Sequence, residues 1–181
     1  MALKSSVGLA HGEDSHATGA NACQEAISQL GAPPTLVLVF ASVQYDQAQV
    51  LAGIRSVAKD ALIVGASTSG EITTSGPVNR HSVAVMAMYS DDIQFFAGVG
   101  ENIALGARAA GKVAAEAVKA QSKEPLKAFM MFPDVLVGNG AEIVRGVLDS
   151  LGEHFPVVGG AAGDDFQFKN SYLYLSDKVY L

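Results

Sequence analysis

Residues 46–58 return in altered form at 139–151. At an offset of 93 positions Asp46 meets Asn139, Gln49 meets Glu142 and Gly53 meets Gly146. The apolar positions Val50, Leu51, Ile54 and Ala58 meet Ile143, Val144, Val147 and Leu151. Asp or Asn followed three residues later by Gln or Glu is the N-cap and N3 pair of a capping box, which satisfies the free amides of a helix's first turn. A mid-helix glycine costs about 1 kcal/mol relative to alanine. One at the same place in both copies implies close backbone contact there. The next strand and turn also recur, ALIVGASTSGEI against PVVGGAAGDDF with one residue inserted, and Glu25-Ala26-Ile27 matches Glu116-Ala117-Val118. A period of about 90 residues is too long for a solenoid. It describes a duplicated α/β module, with similar halves at about 1–90 and 91–181 that break near Ser75–Arg80 or near Gly100.

Apolar periodicity fills in the elements. A short strand is predicted at Ser5–Ala10 and a helix at Ser15–Leu30, with Ala20, Cys23, Ile27 and Leu30 inward. Thr35–Ser42 is apolar on both faces, as in a strand covered on each side. A helix follows at Asp46–Lys59, then a buried strand at Ala61–Gly65. A hairpin is predicted from Ser82–Tyr89 and Ile93–Val99 around Ser90-Asp91-Asp92. The order then restarts: helix Asn102–Ala120, strand Lys127–Phe132, helix Asn139–Leu151, strand Phe155–Gly159, and a second hairpin from Ser171–Ser176. The fold class is therefore α/β, a duplicated βαβαβ-hairpin module with mixed sheets and covering helices. By the repeat, Ser176-Asp177-Lys178 is the second hairpin turn and Val179–Leu181 only begins its returning strand. The expectation is a fragment of a longer protein with an open, adhesive edge at 171–176.

Composition limits the function. With 181 residues the chain suits one ordinary domain or two small ones. A net charge of −6 repels phosphate backbones, so nucleic acid is not an expected partner. Apolar residues at 49% against 17% charged exclude general disorder. Apolar runs such as Leu36–Ala41 are far short of the ~20 residues that span a bilayer, so no membrane insertion is expected. Met1–Ala10 is no secretory signal. Cys23, as the single cysteine, has no internal disulfide partner, which points to a cytoplasmic protein.

Two glycine turns carry the candidate chemistry. Gly65-Ala66-Ser67-Thr68-Ser69-Gly70-Glu71 has the glycine spacing of a phosphate loop, but Glu71 and Ile72 stand where Lys and a hydroxyl residue belong. Ser69 also replaces the second glycine of a nucleophile elbow. The matching turn, Gly159-Gly160-Ala161-Ala162-Gly163-Asp164-Asp165, reads either as a tight strand exit or as a ligand wall. Small residues admit a ligand to backbone amides. Glu71 and Asp164 then supply negative charge suited to an ammonium group or a metal, at the carboxyl ends of strands where open α/β sheets bind ligands. The candidate ligand-binding set is Gly65, Ser67, Thr68, Ser69, Gly70, Glu71, Gly159, Gly160, Gly163, Asp164 and Asp165.

None of the four histidines has zinc spacing. Haem needs only one axial ligand; His11 and His81, each beside an apolar strand, are the candidates, whereas His16 and His154 adjoin polar helix ends. Cys23 reads as a buried inert thiol, and Asp46 as an N-cap. Asp134 follows the strand equivalent to the one before Tyr45-Asp46.

VGASTSGEI, with LVLVFAS before it and PVVGGAAGDDF about 94 residues after it, resembles the N-terminal domain of the FIST family. The similarity runs from about Val7 to the end of the chain. The resemblance implies an intracellular sensory domain of prokaryotic signal transduction that binds a small polar ligand such as an amino acid. It also leaves open a haem-binding nitric-oxide sensor acting on a histidine kinase or other signalling protein. Family members normally continue into a C-terminal domain, which is expected as a missing partner here. A metal-dependent enzyme using the acidic turns is a further alternative from the residues alone.

Overall fold

The computed structural model describes residues 3–73, 76–79 and 81–181. In chain order the elements are β1 (Leu3–Ala10), α1 (Ser15–Leu30), β2 (Leu36–Ser42), α2 (Gln47–Val57), β3 (Leu62–Thr68), β4 (Glu71–Thr73), β5 (Gly76–Asn79) and β6 (Val83–Ser90). There follow α3 (Ile103–Gln121), β7 (Phe129–Met131), α4 (Gly140–Leu151), β8 (Val157–Gly159), β9 (Leu173–Leu175) and β10 (Lys178–Tyr180). The protein is mixed α/β. Of the anticipated break at Ser75–Arg80, both end residues lie outside the described residues.

Helices α1, α2 and α4 begin where their side-chain caps dictate. Asp46 Oδ1 accepts from the amides of Ala48 at 3.0 Å and Gln49 at 3.1 Å, and Asn139 Oδ1 from Ala141 at 3.0 Å and Glu142 at 3.3 Å. The reciprocal half of the capping box is not made: the Asp46 amide donates instead to Ser15 Oγ at 3.0 Å, and Glu142 pairs with Arg145. Helix α1 is capped by Asp14 and ends at Gly31, whose φ of 66° is open to glycine without a Cβ penalty.

Two compact units form, one from 1–95 with 163–181 and one from 96–162. The first holds a six-stranded sheet in the order β1-β6-β2-β3-β9-β10. Strands β2 and β3 are parallel, with Val39 opposite Gly65; all other neighbours are antiparallel. Val37, Val39, Ile63, Val83 and Val85 pack with Ala22, Cys23, Ala26, Val50 and Ile54 into one core. In the second unit β7 and β8 are parallel, and Ala115, Val118, Phe129 and Val147 form the core.

Helix pairs in both units meet backbone to backbone. A Cβ on Gly19 would overlap the Val50 carbonyl oxygen, and one on Gly53 that of His16. In the second unit Gly111 lies so against Ile143, and Gly146 against Arg108. The strands repeat the arrangement: Gly65 abuts the Val39 carbonyl and Gly159 that of Met131.

The hairpins differ from the sequence reading. Strand β6 pairs with β1 and β2, and 93–99 forms no strand. Gly98 lies against Ala114 on α3, as Gly8 lies against Ala22 on α1. An unanticipated hairpin, β4–β5, fills the polar stretch after β3. The last hairpin joins the first unit's sheet, where β9 is paired on both sides by β3 and β10. Residues 171–176 are thus not an open edge; the sheet's edges are β1 and β10.

At an open mid-helix site a Gly→Ala change stabilises by about 1 kcal/mol. At Gly53 and Gly146 the added methyl strikes a carbonyl, so each change is expected to destabilise by about 1–3 kcal/mol. Urea unfolding of the two variants checks this; a raised midpoint contradicts the close packing.

Candidate functional site

Strands β1 and β2 are both antiparallel to β6, and β3 is parallel to β2, so β1, β2 and β3 point the same way. Their carboxyl ends gather polar residues from distant parts of the chain. His11 follows β1, Gln44 and Tyr45 follow β2, and Thr68–Glu71 follow β3. His81 and Ser82 lead into β6 from the same end.

Glu71 is the buried charge of this group, 3% exposed. Thr68 Oγ1 donates to one carboxylate oxygen and Ser82 Oγ to the other. Burial pushes the carboxyl above its ordinary range; the two hydroxyls oppose that shift, and the charge of Asp165 adds to it. Beside it the Tyr45 ring stacks on His81 with centroids 4.4 Å apart, and its hydroxyl donates to the His81 carbonyl at 3.2 Å. His11 Nδ1 lies 3.1 Å from the same carbonyl. The loop carrying Tyr45 is fixed from below. Gln47 Nε2 donates to the carbonyls of Ser42 at 3.0 Å and Tyr45 at 2.6 Å, while its Oε1 accepts from Tyr174. Burial raises the Tyr174 hydroxyl far above its ordinary range, so it remains a donor.

The second glycine turn reaches this place through Gly163 and Asp165. Gly163 is stitched to Ser67: the Gly163 amide donates to the Ser67 carbonyl at 2.8 Å and Ser67 Oγ donates to the Gly163 carbonyl at 2.7 Å. A Cβ on Gly163 would lie 2.7 Å from Ser69 Oγ, so only glycine fits. The Asp165 amide donates to Ser69 Oγ at 3.1 Å, and its Oδ2 accepts from Gln44 at 3.1 Å. Among the described residues, Asp165 Oδ1 is buried without a hydrogen-bond partner.

Asp164 turns the other way. Its Oδ2 accepts from the Lys169 amide at 2.7 Å. That amide, with those of Phe168, Asn170 and Gln167, holds the carboxyl below its ordinary range. It organises its own loop. Gly159 and Gly160 belong to the second unit, where Gly159 (φ 142°) ends β8 and the Gly160 amide donates to Met131 at 3.3 Å. Gly65 lies within β3 and packs on Val39; Gly70, at φ 122°, shapes the turn before Glu71.

A sequence model of the FIST N domain matches residues 35–181. The chain belongs to the FIST N-domain family. No curated protein matches it. The family consists of sensory domains of signal transduction. Among the described residues of this FIST domain, no three His, Cys, Asp or Glu side chains converge as a metal-binding group, and no helix is long and apolar enough to cross a membrane. Cys23 is buried in the core of the first unit, and burial pushes its thiol up to about 11.

Sequence reasoning missed Ser82, Tyr45 and Gln44. One signal for Ser82 was available: a lone polar residue opening an apolar strand directly after a histidine. Nothing local marks Gln44.

The Glu71 carboxyl is raised in the folded state, so its contribution to stability is complete below the ordinary value of 4.5 and is lost as pH rises through the folded pKa. Glu71→Gln lacks this loss. The stability of E71Q relative to the native chain should therefore increase between pH 4 and pH 8, read as urea midpoints at each pH. A difference that does not change with pH contradicts the raised carboxyl.

Proposed function

We propose that this FIST domain senses a small polar ligand carrying an ammonium group, such as an amino acid, at the carboxyl ends of β1, β2 and β3. Glu71 and Asp165 form the anionic wall. Ser67, Thr68, Ser69, Gly70 and Gly163 supply hydroxyls and backbone, and Asp164 shapes the loop that presents Asp165. The observation that carries the reading is Glu71, a buried carboxylate met, among the described residues, by two hydroxyls and its own backbone amide and by no cation. A buried carboxylate is costly unless a positive charge compensates it. A ligand ammonium would supply that charge beside the unpartnered Asp165 oxygen. Occupancy would then be relayed to a signalling protein, a histidine kinase among the candidates.

The haem alternative rests on His11 and His81, and the surroundings fit haem poorly. His11 is exposed, the His81 ring is stacked on Tyr45, and the adjoining buried groups are carboxylates and hydroxyls. A haem site needs an apolar pocket around its iron ligand. Absence of a Soret band after haem titration would agree with this; a band abolished by His11→Ala would favour haem. Among the described residues, a metal-dependent enzyme on the acidic turns has the Glu71–Asp165 pair to build on and no third ligand.

The two units also read as copies of one module. Support comes from the matched caps and from helix–helix glycine contacts that recur with an offset of 92 or 93 positions.

Calorimetric titration with a panel of free amino acids tests the ligand reading. At least one should bind saturably, and Glu71→Gln and Asp165→Asn should each weaken it by about 1.5–3 kcal/mol. Equal affinity in both variants would remove these carboxylates from the site.

A further inference from the structure

In the first unit β6 lies between β1 and β2 and is hydrogen-bonded to both. The second unit has counterparts of the two flanking strands. Strand β7 pairs parallel with β8 across α4, as β2 pairs with β3 across α2. Residues 96–100 run along α3 as β1 runs along α1. A Cβ on Gly98 would meet Ala114 O and Ala117 Cβ; one on Gly8 would meet Ala22 O and Glu25 Cβ. Ala114 and Ala117 stand 92 positions after Ala22 and Glu25. Among the described residues, however, no strand pairs with 96–100, and β7 pairs with β8 alone.

The free edge of β7 is defined by its bonds. The Phe129 amide donates to Pro156 O at 2.9 Å, and Met131 O accepts from the Gly160 amide at 3.3 Å. Backbone groups alternate sides along a strand, so those of Phe129 and Met131 face β8 and those of Met130 face away from it. The Met130 side chain is half exposed. Neither Phe96–Gly100 nor Phe129–Met131 contains a charged residue, so a charged occupant would be left without a compensating partner.

We propose that the second unit accepts an added antiparallel strand between Phe96–Gly100 and β7. The occupant is an extended, uncharged peptide segment with the chemistry of β6, apolar on both faces and about five residues long. It binds by strand addition, with main-chain hydrogen bonds to Met130 and apolar contacts on either face. The chain's own β6 is committed to the first unit's sheet.

The test mixes the full chain with a free peptide of sequence VAVMAMYS, flanked by lysines for solubility, and follows amide exchange. Saturable slowing at Met130 and Phe96–Gly100 by about tenfold or more is expected. A peptide with proline at its centre should give none. Met130→Pro should also abolish the slowing, because its lost amide faces the open edge and is not used by β8. Absence of protection overturns the proposal, as does equal protection by the proline peptide. Protection that grows with chain concentration alone would assign the edge to a second copy and also overturn it. Faster exchange in β1 would mean that the peptide displaces β6 instead, which overturns it as well.

Discussion

Where α1 crosses α2 there is no room for a side chain. Gly19 and Gly53 bring the two helix backbones into carbonyl contact, and Gly8 does the same between β1 and α1. These approaches set the layer spacing of the first unit. They suit a core of small side chains: its largest fully buried residues are isoleucines and valines, and the chain has no tryptophan. Small side chains bury little area each, so cohesion must come from packing density. The second unit is built on the same contacts at Gly111 and Gly146.

The candidate site follows from that spacing. With β1, β2 and β3 aligned, their exits open at one end of the sheet, and Glu71 enters β4 directly beneath them. Its neighbour in charge, Asp165, arrives from the far end of the chain. Asp164 and Asp165 are adjacent carboxylates with opposite roles. The first is held ionised within its own loop by that loop's amides; the second, at φ 56°, turns back toward Ser69 and Gln44. Asp tolerates this left-handed conformation better than most residues. The negative character of the site therefore comes from Glu71 and Asp165.

What could be read from the sequence was whatever a short window determines. The caps Asp46 and Asn139, the glycines at 53 and 146 and the apolar strand 36–42 all announce themselves locally. Strand order does not. A polar turn at 90–92 before an apolar run reads as a hairpin, yet β6 pairs with β1, some eighty residues earlier. The same limit applies to the site. Glu71 and Gly163 were legible because strand ends and glycine turns mark them. Ser82 as a partner of Glu71 and His81 as that of Tyr45 were not, since they reach them only through the β1–β6–β2 pairing. The sense in which Asp164 and Asp165 diverge depends on one backbone torsion, which no residue pattern encodes.

The proposed ligand chemistry depends on Glu71 being a buried anionic anchor of the first unit whose charge a cationic ligand would stabilise. The direct measurement is a carbon-13 titration of the Glu71 carboxyl in chain labelled at glutamate Cδ, with and without a bound amino acid. The expected result is a Glu71 resonance that titrates above the ordinary glutamate range alone and falls when the ammonium ligand is present. A Glu71 carboxyl that titrates with the exposed glutamates, and is unmoved by any amino acid, would contradict it.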